Sequence, residues 1–370
     1  MAMGLPFEDI ALTFVPSLGV RGAVHLLEVF GSAEAIYAAS EQELMERAEL
    51  REDLARAIVR RAGFAEAERE LAHCRKHDIT PLASTDSRYP SLLRELHDYP
   101  PVLYVLGNVD ALMQRTVAFV GTRKMSPYGE RVATELVEGL KLLVPDVAIV
   151  SGLAYGIDGA SHRAAIACNA TTVGVLANAL PAIQPVVHRK VAAEMVSQGG
   201  AIVTELSSQT KQNGRFFIPR NRIIAGLSAG VVVVESPDSG GSLSTAAFAD
   251  DYSRSVMAVP GRITDATSRG CNVLIRNRKA QAVLSAMDIV HELVWELGRA
   301  DAEATPAVDD STLCTEERDF LEYFSTEPIS FDELMVRSGL SSGALALMLM
   351  NLELSGVVRQ LPGKIYEKLL

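Results

Sequence analysis

Hydrophobic residues in the first 80 positions recur three and four residues apart, which is the spacing of amphipathic helices. The pattern is clearest in AVHLLEVF (residues 23–30) and in REDLARAIVRRAGFAEAERELAHC (51–74). We therefore predict a small helical domain over residues 1–80.

A glycine-containing turn precedes one of these helices, in VPSLGVRGAVHLL (15–27). Turns of this kind occur in helix-hairpin-helix and SAM-like modules, which hold the backbone of DNA. They are also common in small helical caps, so the local sequence leaves both interpretations open.

The hydrophobic period changes near residue 115, where short apolar runs begin to alternate with helical stretches. The runs are TVAFVG (116–121), VAIVSG (147–152), TTVGVLA (171–177), AIVTE (201–205), VVVVES (231–236) and SVMAVPG (255–261). Such runs predict a mostly parallel sheet that is covered by helices on both faces. We predict an α/β fold with an extended Rossmann-like core over residues 81–297. Ligands bind open sheets of this class at the carboxyl ends of the strands, and the strands here often end in glycine or a small polar residue.

The last part of the chain has a different pattern. Residues 298–312 are polar, acidic and small, as in a linker. Three short helical patterns and a β-hairpin pattern follow over residues 313–370, which is the order of a winged helix. Its third helix (SSGALALMLMNLELSG, 341–356) contains no lysine or arginine. Since a helix that reads a DNA groove needs such side chains, the pattern favours a protein-contact or structural role for this domain.

Composition narrows the class of protein. The chain has 370 residues, 48% hydrophobic and 22% charged, as in ordinary globular proteins, and a formal charge of −11. An acidic balance argues against a protein that coats nucleic acid over its whole surface, although a local basic patch remains compatible with it. The four cysteines are scattered, without the spacing of a zinc site or a disulfide framework. With no apparent signal peptide or membrane-spanning run, we expect a cytoplasmic protein without a metal site.

The first strand-to-helix junction combines glycine with two cations. Gly121 and Thr122 follow the run TVAFVG, Arg123 and Lys124 come next, and Ser126 is a candidate helix cap. Free backbone N–H groups at a helix start, together with cations, predict a phosphate site. The loop is neither a Walker A nor a GxGxxG motif, so a nucleotide cofactor is unsupported. The alternative is a plain turn with solvated charges.

Two further junctions have the same character. Ser151 and Gly152 end the second run, and Gly241 and Ser242 open a helix after the run VVVVES. Both offer backbone amides to an anion, although a glycine turn with a serine cap would have the same sequence. His162 follows the second junction without a legible catalytic partner, which favours a packed histidine over a catalytic one.

The segment from 211 to 222 concentrates positive charge beside aromatic residues and contains no acid. Its candidate ligand-binding residues are Lys211, Phe217, Arg220, Asn221 and Arg222. Arginine matches phosphate with forked donors, and an aromatic ring stacks on bases. Together with the three junctions, this segment suits a chain of phosphates better than one small ligand. The alternative is that the phenylalanines belong to the core and the arginines pair with Glu205 or Glu235.

Several of these motifs together resemble the DNA-processing protein A (DprA, or Smf) family. They are VGTRKMSPYG, SGLAYGIDGASHRAA, RNRIIAGLS, GGSLSTAAFA and AVPGRITDATSRGCNVLI, with DSRYPSLLRELHDYPPVLYVLGN before them. The family usually has Phe-Pro-x-Arg-Asn, whereas here Ile218 takes the place of the proline and Pro219 directly precedes Arg220.

The resemblance implies a Rossmann-like domain that binds single-stranded DNA without sequence preference, forms a homodimer and loads the RecA recombinase during natural transformation. It implies neither catalysis nor a cofactor. The family's phosphate-binding positions correspond to Gly121, Thr122 and Arg123 and to Arg220, Asn221 and Arg222, with the Ser151–Gly152 and Gly241–Ser242 turns in the same pocket.

An enzyme is the alternative function. SGGSLSTA is similar to the glycine-rich loop of Rossmann-type proteins that hydrolyse the N-glycosidic bond of nucleoside monophosphates. That reaction needs a carboxylate near the ribose, and Glu205 and Glu235 are the candidates. A regulator that binds double-stranded DNA through the C-terminal domain is less well supported, because the third helix lacks positive charge.

Overall fold

A computed structural model of the chain describes residues 6–296, 315–324, 328–354, 357–361 and 365–368. The chain divides into two compact units, Met1–Gly298 and Arg299–Leu370. The predicted linker, 298–312, lies outside the described residues.

From residue 6 onward, six helices precede the first strand, and the helical periodicity predicts this helical character. They are α1 (Phe7–Thr13), α2 (Gly19–Phe30), α3 (Ala33–Ala38), α4 (Glu41–Arg47), α5 (Glu52–Val59) and α6 (Phe64–Lys76). Their apolar faces enclose a small core that includes Leu12, Leu26 and Ile58. A reciprocal capping box between Ser40 and Glu43 starts α4 and satisfies backbone donors that the helix leaves unpaired. Whether these helices form a SAM-like module stays a prediction.

The first unit continues as a nine-stranded sheet. The strands are β1 (Ile79–Ala83), β2 (Val102–Gly107), β3 (Arg115–Val120), β4 (Val147–Ser151), β5 (Thr171–Val175), β6 (Ala201–Thr204), β7 (Gly230–Val233), β8 (Ser255–Ala258) and β9 (Gln281–Ala282). The helices between and after them are α7 (Ser91–Arg94), α8 (Pro127–Leu143), α9 (Ile157–Ala167), α10 (Arg189–Ser197), α11 (Phe217–Gly226), α12 (Ser242–Asp251), α13 (Arg269–Arg276) and α14 (Ala286–Glu292).

The strand order is β1-β2-β6-β5-β4-β3-β7-β8-β9. All pairs from β6 to β9 are parallel, which confirms the predicted Rossmann-like core, whereas β2 is antiparallel to both β1 and β6. The apolar-run pattern missed β1, β2 and the two-residue strand β9. The chain runs from β3 outward to β6 and then returns to place β7 on the other side of β3. Ligands bind open α/β sheets at such a reversal, at the carboxyl ends of the two strands.

Hydrophobic clusters cover both faces of the sheet. One includes Val150, Val203 and Ile223, and the other includes Phe119 and Leu140. Strands β4 and β7 are buried at every position, which explains their uninterrupted apolar sequences. A third cluster joins the N-terminal helices to the sheet, so both belong to the first unit.

The second unit confirms the predicted winged helix. It contains α15 (Thr315–Leu321), β10 (Ile329–Ser330), α16 (Phe331–Ser338), α17 (Ser342–Leu354), β11 (Val358–Leu361) and β12 (Ile365–Lys368), with the strand order β10-β12-β11. The short strand β10 adds to the predicted helices and hairpin. Leu345, Leu349 and Leu352 of α17 are buried in the core of this unit. Across the described ranges, no helix combines the length and the apolar composition that crossing a membrane requires.

Candidate functional site

A cleft of about 420 Å³ opens at the carboxyl ends of β3 and β7, where the strand order reverses. It is lined by the loop after β3, the start of α11 and the turn before α12. Nine of the predicted binding residues line it: Gly121, Thr122, Arg123, Lys124, Phe217, Arg220, Asn221, Gly241 and Ser242. The fold therefore brings together two of the three junctions and part of the arginine-rich segment.

The start of α8 is not the open anion site that the sequence predicts. The carboxylate of Glu235, which is 1% exposed, accepts hydrogen bonds from the Ser126 N–H at 2.8 Å and from the Ser126 hydroxyl at 2.6 Å. An internal anion thus occupies the amino end of this helix, where the peptide dipoles favour negative charge. The carbonyl of Glu235 also accepts a hydrogen bond from Thr122 N–H at 2.7 Å. The loop after β3 is held at both ends, and it offers a ligand its cationic side chains rather than the helix terminus.

Those side chains project from the loop into solvent. Arg123 and Lys124 are exposed, and within residues 6–296 neither forms an ion pair. The guanidinium of Arg123 lies 5.2 Å from the centre of the Phe217 ring, which is itself 41% exposed. A cation stacked on an aromatic face keeps its edge donors free for a second partner such as phosphate.

Arg220 forms the floor of the cleft. Its side chain is buried, and Nη1 donates hydrogen bonds to the carbonyls of Gly152, at 2.8 Å, and of Val175. Burial lowers the pKa of Arg220 to about 10, an effect that Asp158 opposes and Arg123 increases. Arg220 is therefore charged at neutral pH. Its Nη2 makes no hydrogen bond to any described residue.

A carboxylate lies beside this arginine. Asp158 lines the cleft and accepts a hydrogen bond from Gly152 N–H at 3.2 Å. The backbone N–H groups of Gly121 and Ala154 also interact with its carboxylate and lower its pKa. Burial raises the pKa of Asp158, and Arg220 opposes that rise. The amides of the second junction are therefore already used by an internal acid.

The third junction is open. Gly241 is exposed at the start of α12, and no side chain caps this helix. Neither Gly241 N–H nor Ser242 N–H donates a hydrogen bond to the part of the chain that the structure describes. Asn221 holds the turn in place, because its Nδ2 donates to Gly241 O at 3.3 Å and to Ser244 Oγ at 3.0 Å. These two backbone N–H groups are therefore available to an anion at the start of α12.

Arg222 does not belong to the cleft, which corrects the prediction that it grips phosphate together with Arg220. It is 7% exposed, pairs with Glu205 and donates from Nη1 to Asp98 O at 2.6 Å. Residues two apart on a helix point to different faces, and both arginines lie on α11. The alternative in which an arginine pairs with Glu205 therefore applies to Arg222. Pro219, the third residue of α11, is accommodated because the first turn of a helix needs no N–H donor there.

Three other predicted residues lie outside the main cleft. Ser151 is fully buried, and its hydroxyl donates to Phe119 O at 2.6 Å, so it joins β4 to β3 instead of meeting a ligand. Lys211 is exposed but lines neither the cleft nor the cavity beside it. Gly152 lines that neighbouring cavity, of about 150 Å³, whose wall also includes Arg123, Phe217 and Arg220.

The small cavity contains residues that the motif analysis did not select. Tyr155 is 52% exposed on its rim, and the amide side chains of Asn178, Gln184 and Gln212 line it. The available signal was the aromatic residue inside the glycine-rich segment SGLAYGIDG. His162 is fully buried with Nδ1 2.7 Å from Thr172 Oγ1, as expected for a packed histidine.

Comparison of the sequence with known families gives two matches. The DNA recombination-mediator protein A family matches residues 80–294, and the DprA winged helix domain matches residues 302–364. Protein Smf of Escherichia coli is 36% identical over 290 residues, which are 78% of this chain and 76% of that protein. A putative DNA processing protein DprA of Mycobacterium tuberculosis is 38% identical over 269 residues, 72% of this chain and 68% of that protein.

Solved structures agree with these matches. DNA processing protein A from Streptococcus pneumoniae superposes with a TM-score of 0.68 at 28% identity, over 78% of this chain and 98% of that chain. DNA processing protein A from Helicobacter pylori, described for its single-stranded DNA binding mode, superposes with a TM-score of 0.52 at 26% identity, over 59% and 96%. A conserved fold, two matched domains and relatives above 30% identity all point the same way: this chain belongs to the DNA recombination-mediator protein A family.

Proposed function

We propose that this protein binds single-stranded DNA without sequence preference and that the cleft between β3 and β7 holds the phosphates. The observation that carries the proposal is the cluster of unpaired donors: exposed Arg123 and Lys124, Nη2 of Arg220, and the free amides of Gly241 and Ser242. The charged residues that line the cleft are these three cations and the single carboxylate of Asp158, so the cleft attracts anions although the whole chain is acidic.

The rim of the cleft suits unpaired bases. Phe217 and Ile218 line the cleft and are 41% and 62% exposed, and Tyr155 on the rim of the neighbouring cavity is 52% exposed. Apolar surface therefore lies beside the groups that would donate to phosphate. Stacking on an aromatic ring contributes roughly 1–3 kcal/mol per base and tolerates any base, because every base has a π face. Bases of duplex DNA are already stacked and paired, which favours single strands at this site.

The wider role follows from family membership. We propose that the protein acts as a cytoplasmic homodimer, formed through the sheet domain, and loads the RecA recombinase onto single-stranded DNA during natural transformation. We also propose that it acts by binding and not by turnover. The two carboxylates of the glycosidase alternative are engaged internally, Glu205 with Arg222 and Glu235 with Ser126.

Fluorescence anisotropy with labelled oligonucleotides of equal length tests the binding proposal. We expect similar affinity for oligo(dT) and for mixed-sequence single strands, weaker binding to the matching duplex, and affinity that falls steeply with salt as counterions are released. A preference for duplex, a strong dependence on sequence, or affinity independent of salt would contradict it.

Incubation with nucleoside monophosphates tests the proposal that the protein is not an enzyme. Release of free base, abolished by Glu235→Gln, would establish the glycosidase instead.

Light scattering of the free protein measures its mass and tests the homodimer. Recombinase filament formation on strands coated with a single-strand-binding protein tests the loading step.

A further inference from the structure

A buried acid of the N-terminal helices contacts the segment that leads to the cleft. Glu70, on α6, is 1% exposed. Its carboxylate accepts hydrogen bonds from Ser208 N–H at 2.8 Å and from Ser208 Oγ at 2.6 Å. Within the described ranges it has no cationic partner. A buried carboxylate strongly favours the conformation that supplies its hydrogen bonds, because leaving them unmade is costly.

The next residue of the segment is held by the same helix. Gln209 Nε2 donates to the carbonyl of Glu66 at 2.9 Å, and Arg69 Nε donates to Gln209 Oε1 at 3.4 Å. Two consecutive residues of the β6–α11 loop, residues 205–213, are therefore attached to α6. The loop begins at Glu205, whose ion pair with Arg222 attaches that end to α11.

The attached residues immediately precede the cleft. Lys211 is exposed three positions after Ser208, Gln212 lines the small cavity beside Arg220, and Phe217 begins α11 under the Arg123 guanidinium. Within the described structure, the side chains of residues 211–214 form one hydrogen bond, which Arg215 N–H donates to Asn213 Oδ1. This contact is local and does not attach the stretch to another element. The path of the chain into the cleft thus depends on the anchors that come before it.

We propose that Glu70 is a positioning residue for the DNA-binding cleft, through which the N-terminal helices hold the β6–α11 loop in the conformation that binds DNA. This inference rests on the proposed single-stranded DNA binding. Its role is indirect, because Glu70 contacts the loop and does not line the cleft. Releasing the loop would lower the fraction of molecules whose cleft is ready to bind, and apparent affinity falls in proportion to that fraction.

Limited trypsin digestion of the full-length protein without DNA measures the release directly. Lys211 and Arg215 are exposed cleavage sites in or next to the loop, and cutting there creates amino termini at Gln212 or Phe216 that mass spectrometry identifies. In Glu70→Gln we expect cleavage at these sites to accelerate by about tenfold, because cleavage follows the population of the open form. Affinity for oligo(dT) should fall by about threefold to tenfold for the same reason.

Glu68→Gln is the matched control, since Glu68 is an exposed glutamate of the same helix. It should digest and bind like the wild type. Ser208→Ala removes the hydroxyl partner from the other side and should shift both measurements in the same direction. The double variant should add little to Glu70→Gln, because both changes break one interaction.

Circular dichroism shows whether each variant is folded. If Glu70→Gln does not fold, the digestion and binding of Ser208→Ala test the proposal instead. Folded variants that are cleaved at the wild-type rate would overturn the proposal. Faster cleavage with unchanged DNA affinity would also overturn it, since the anchor would then be structural only. A wild-type protein that does not bind single strands would instead contradict the proposed function, whereas the digestion rates would still test the anchor.

Discussion

The guanidinium of Arg123 lies over the ring of Phe217, with 5.2 Å between its central carbon and the ring centre. Arg123 follows β3 and Phe217 begins α11, so these residues are far apart in the chain and the tertiary fold brings them together. If the cleft binds a single strand as we propose, the contact places a cation for phosphate and a ring for base stacking side by side at the mouth of one cleft.

Replacing Arg123 by alanine should weaken binding to every single-stranded sequence alike, by about tenfold, as expected for the loss of one charge-assisted contact. The slope of log K against log salt concentration should decrease by roughly 0.7, because one fewer phosphate is neutralised. Anisotropy titrations at several salt concentrations measure both. Arg131→Ala, at an exposed arginine of α8 that pairs with Glu135, is the control and should change neither. Losses confined to particular sequences would indicate base recognition instead.

Replacing Arg222 by alanine should mainly reduce stability. Glu205, whose side chain is 16% exposed, would remain without its cation, which costs roughly 3–5 kcal/mol of unfolding free energy. Urea unfolding measures this loss, and Arg123→Ala, which breaks no ion pair, should show little change. If Arg222→Ala were as stable as the wild type but failed to bind DNA, Arg222 would be a phosphate ligand after all.

Gly152→Ala should impair DNA binding through Arg220. A Cβ atom at residue 152 would lie 2.7 Å from Arg220 Nη2 and 2.7 Å from Asp158 Oδ2, so the guanidinium would have to move. A drop in affinity with a largely retained fold is the expected result, measured by anisotropy and circular dichroism. Gly214→Ala is the comparison, because a Cβ there meets no atom within 4 Å. Wild-type affinity for Gly152→Ala would show that the position of Arg220 is unimportant.

Asp9 should make the first unit less stable as pH rises. Burial, with a further contribution from Glu34, raises the pKa of Asp9 to about 6, above its value in the unfolded chain. The folded protein therefore holds a proton more tightly than the unfolded chain does, and stability falls by roughly 2–3 kcal/mol as pH rises from about 4 to 6. Asp9→Asn should be more stable than the wild type at pH 7 and similar to it near pH 4.

Urea unfolding at several pH values checks this expectation. Asp53→Asn, at an exposed aspartate of α5, is the control and should keep the wild-type pH dependence. If the wild-type protein instead gained stability between pH 4 and pH 6 and Asp9→Asn did not, the Asp9 carboxylate would be stabilised in the fold.

The sequence by itself determined the parallel core of the sheet and the edge at which the cleft lies. A strand buried on both faces must be apolar at every position, so the runs of β4 and β7 predict a covered parallel sheet without any knowledge of their partners. Parallel strands end at one edge, so the glycines after β3, β4 and β7, together with the cations after β3, predict an anion site there. The winged helix follows in the same way from helical and hairpin patterns that are local in the chain.

Only the tertiary structure decided which charges remain free to bind. Arg220 and Arg222 are the same residue type in the same segment, so the sequence does not distinguish their roles. Because residues two apart on α11 point to different faces, Arg220 lines the cleft and Arg222 pairs with Glu205. Glu235 closes the start of α8, while the amides of Gly241 and Ser242 stay open. Hydrophobic periodicity records which face of an element is buried, whereas ion pairs and capping contacts join residues far apart in the chain. Their partners are set by how the elements pack, and no local pattern of residues encodes that.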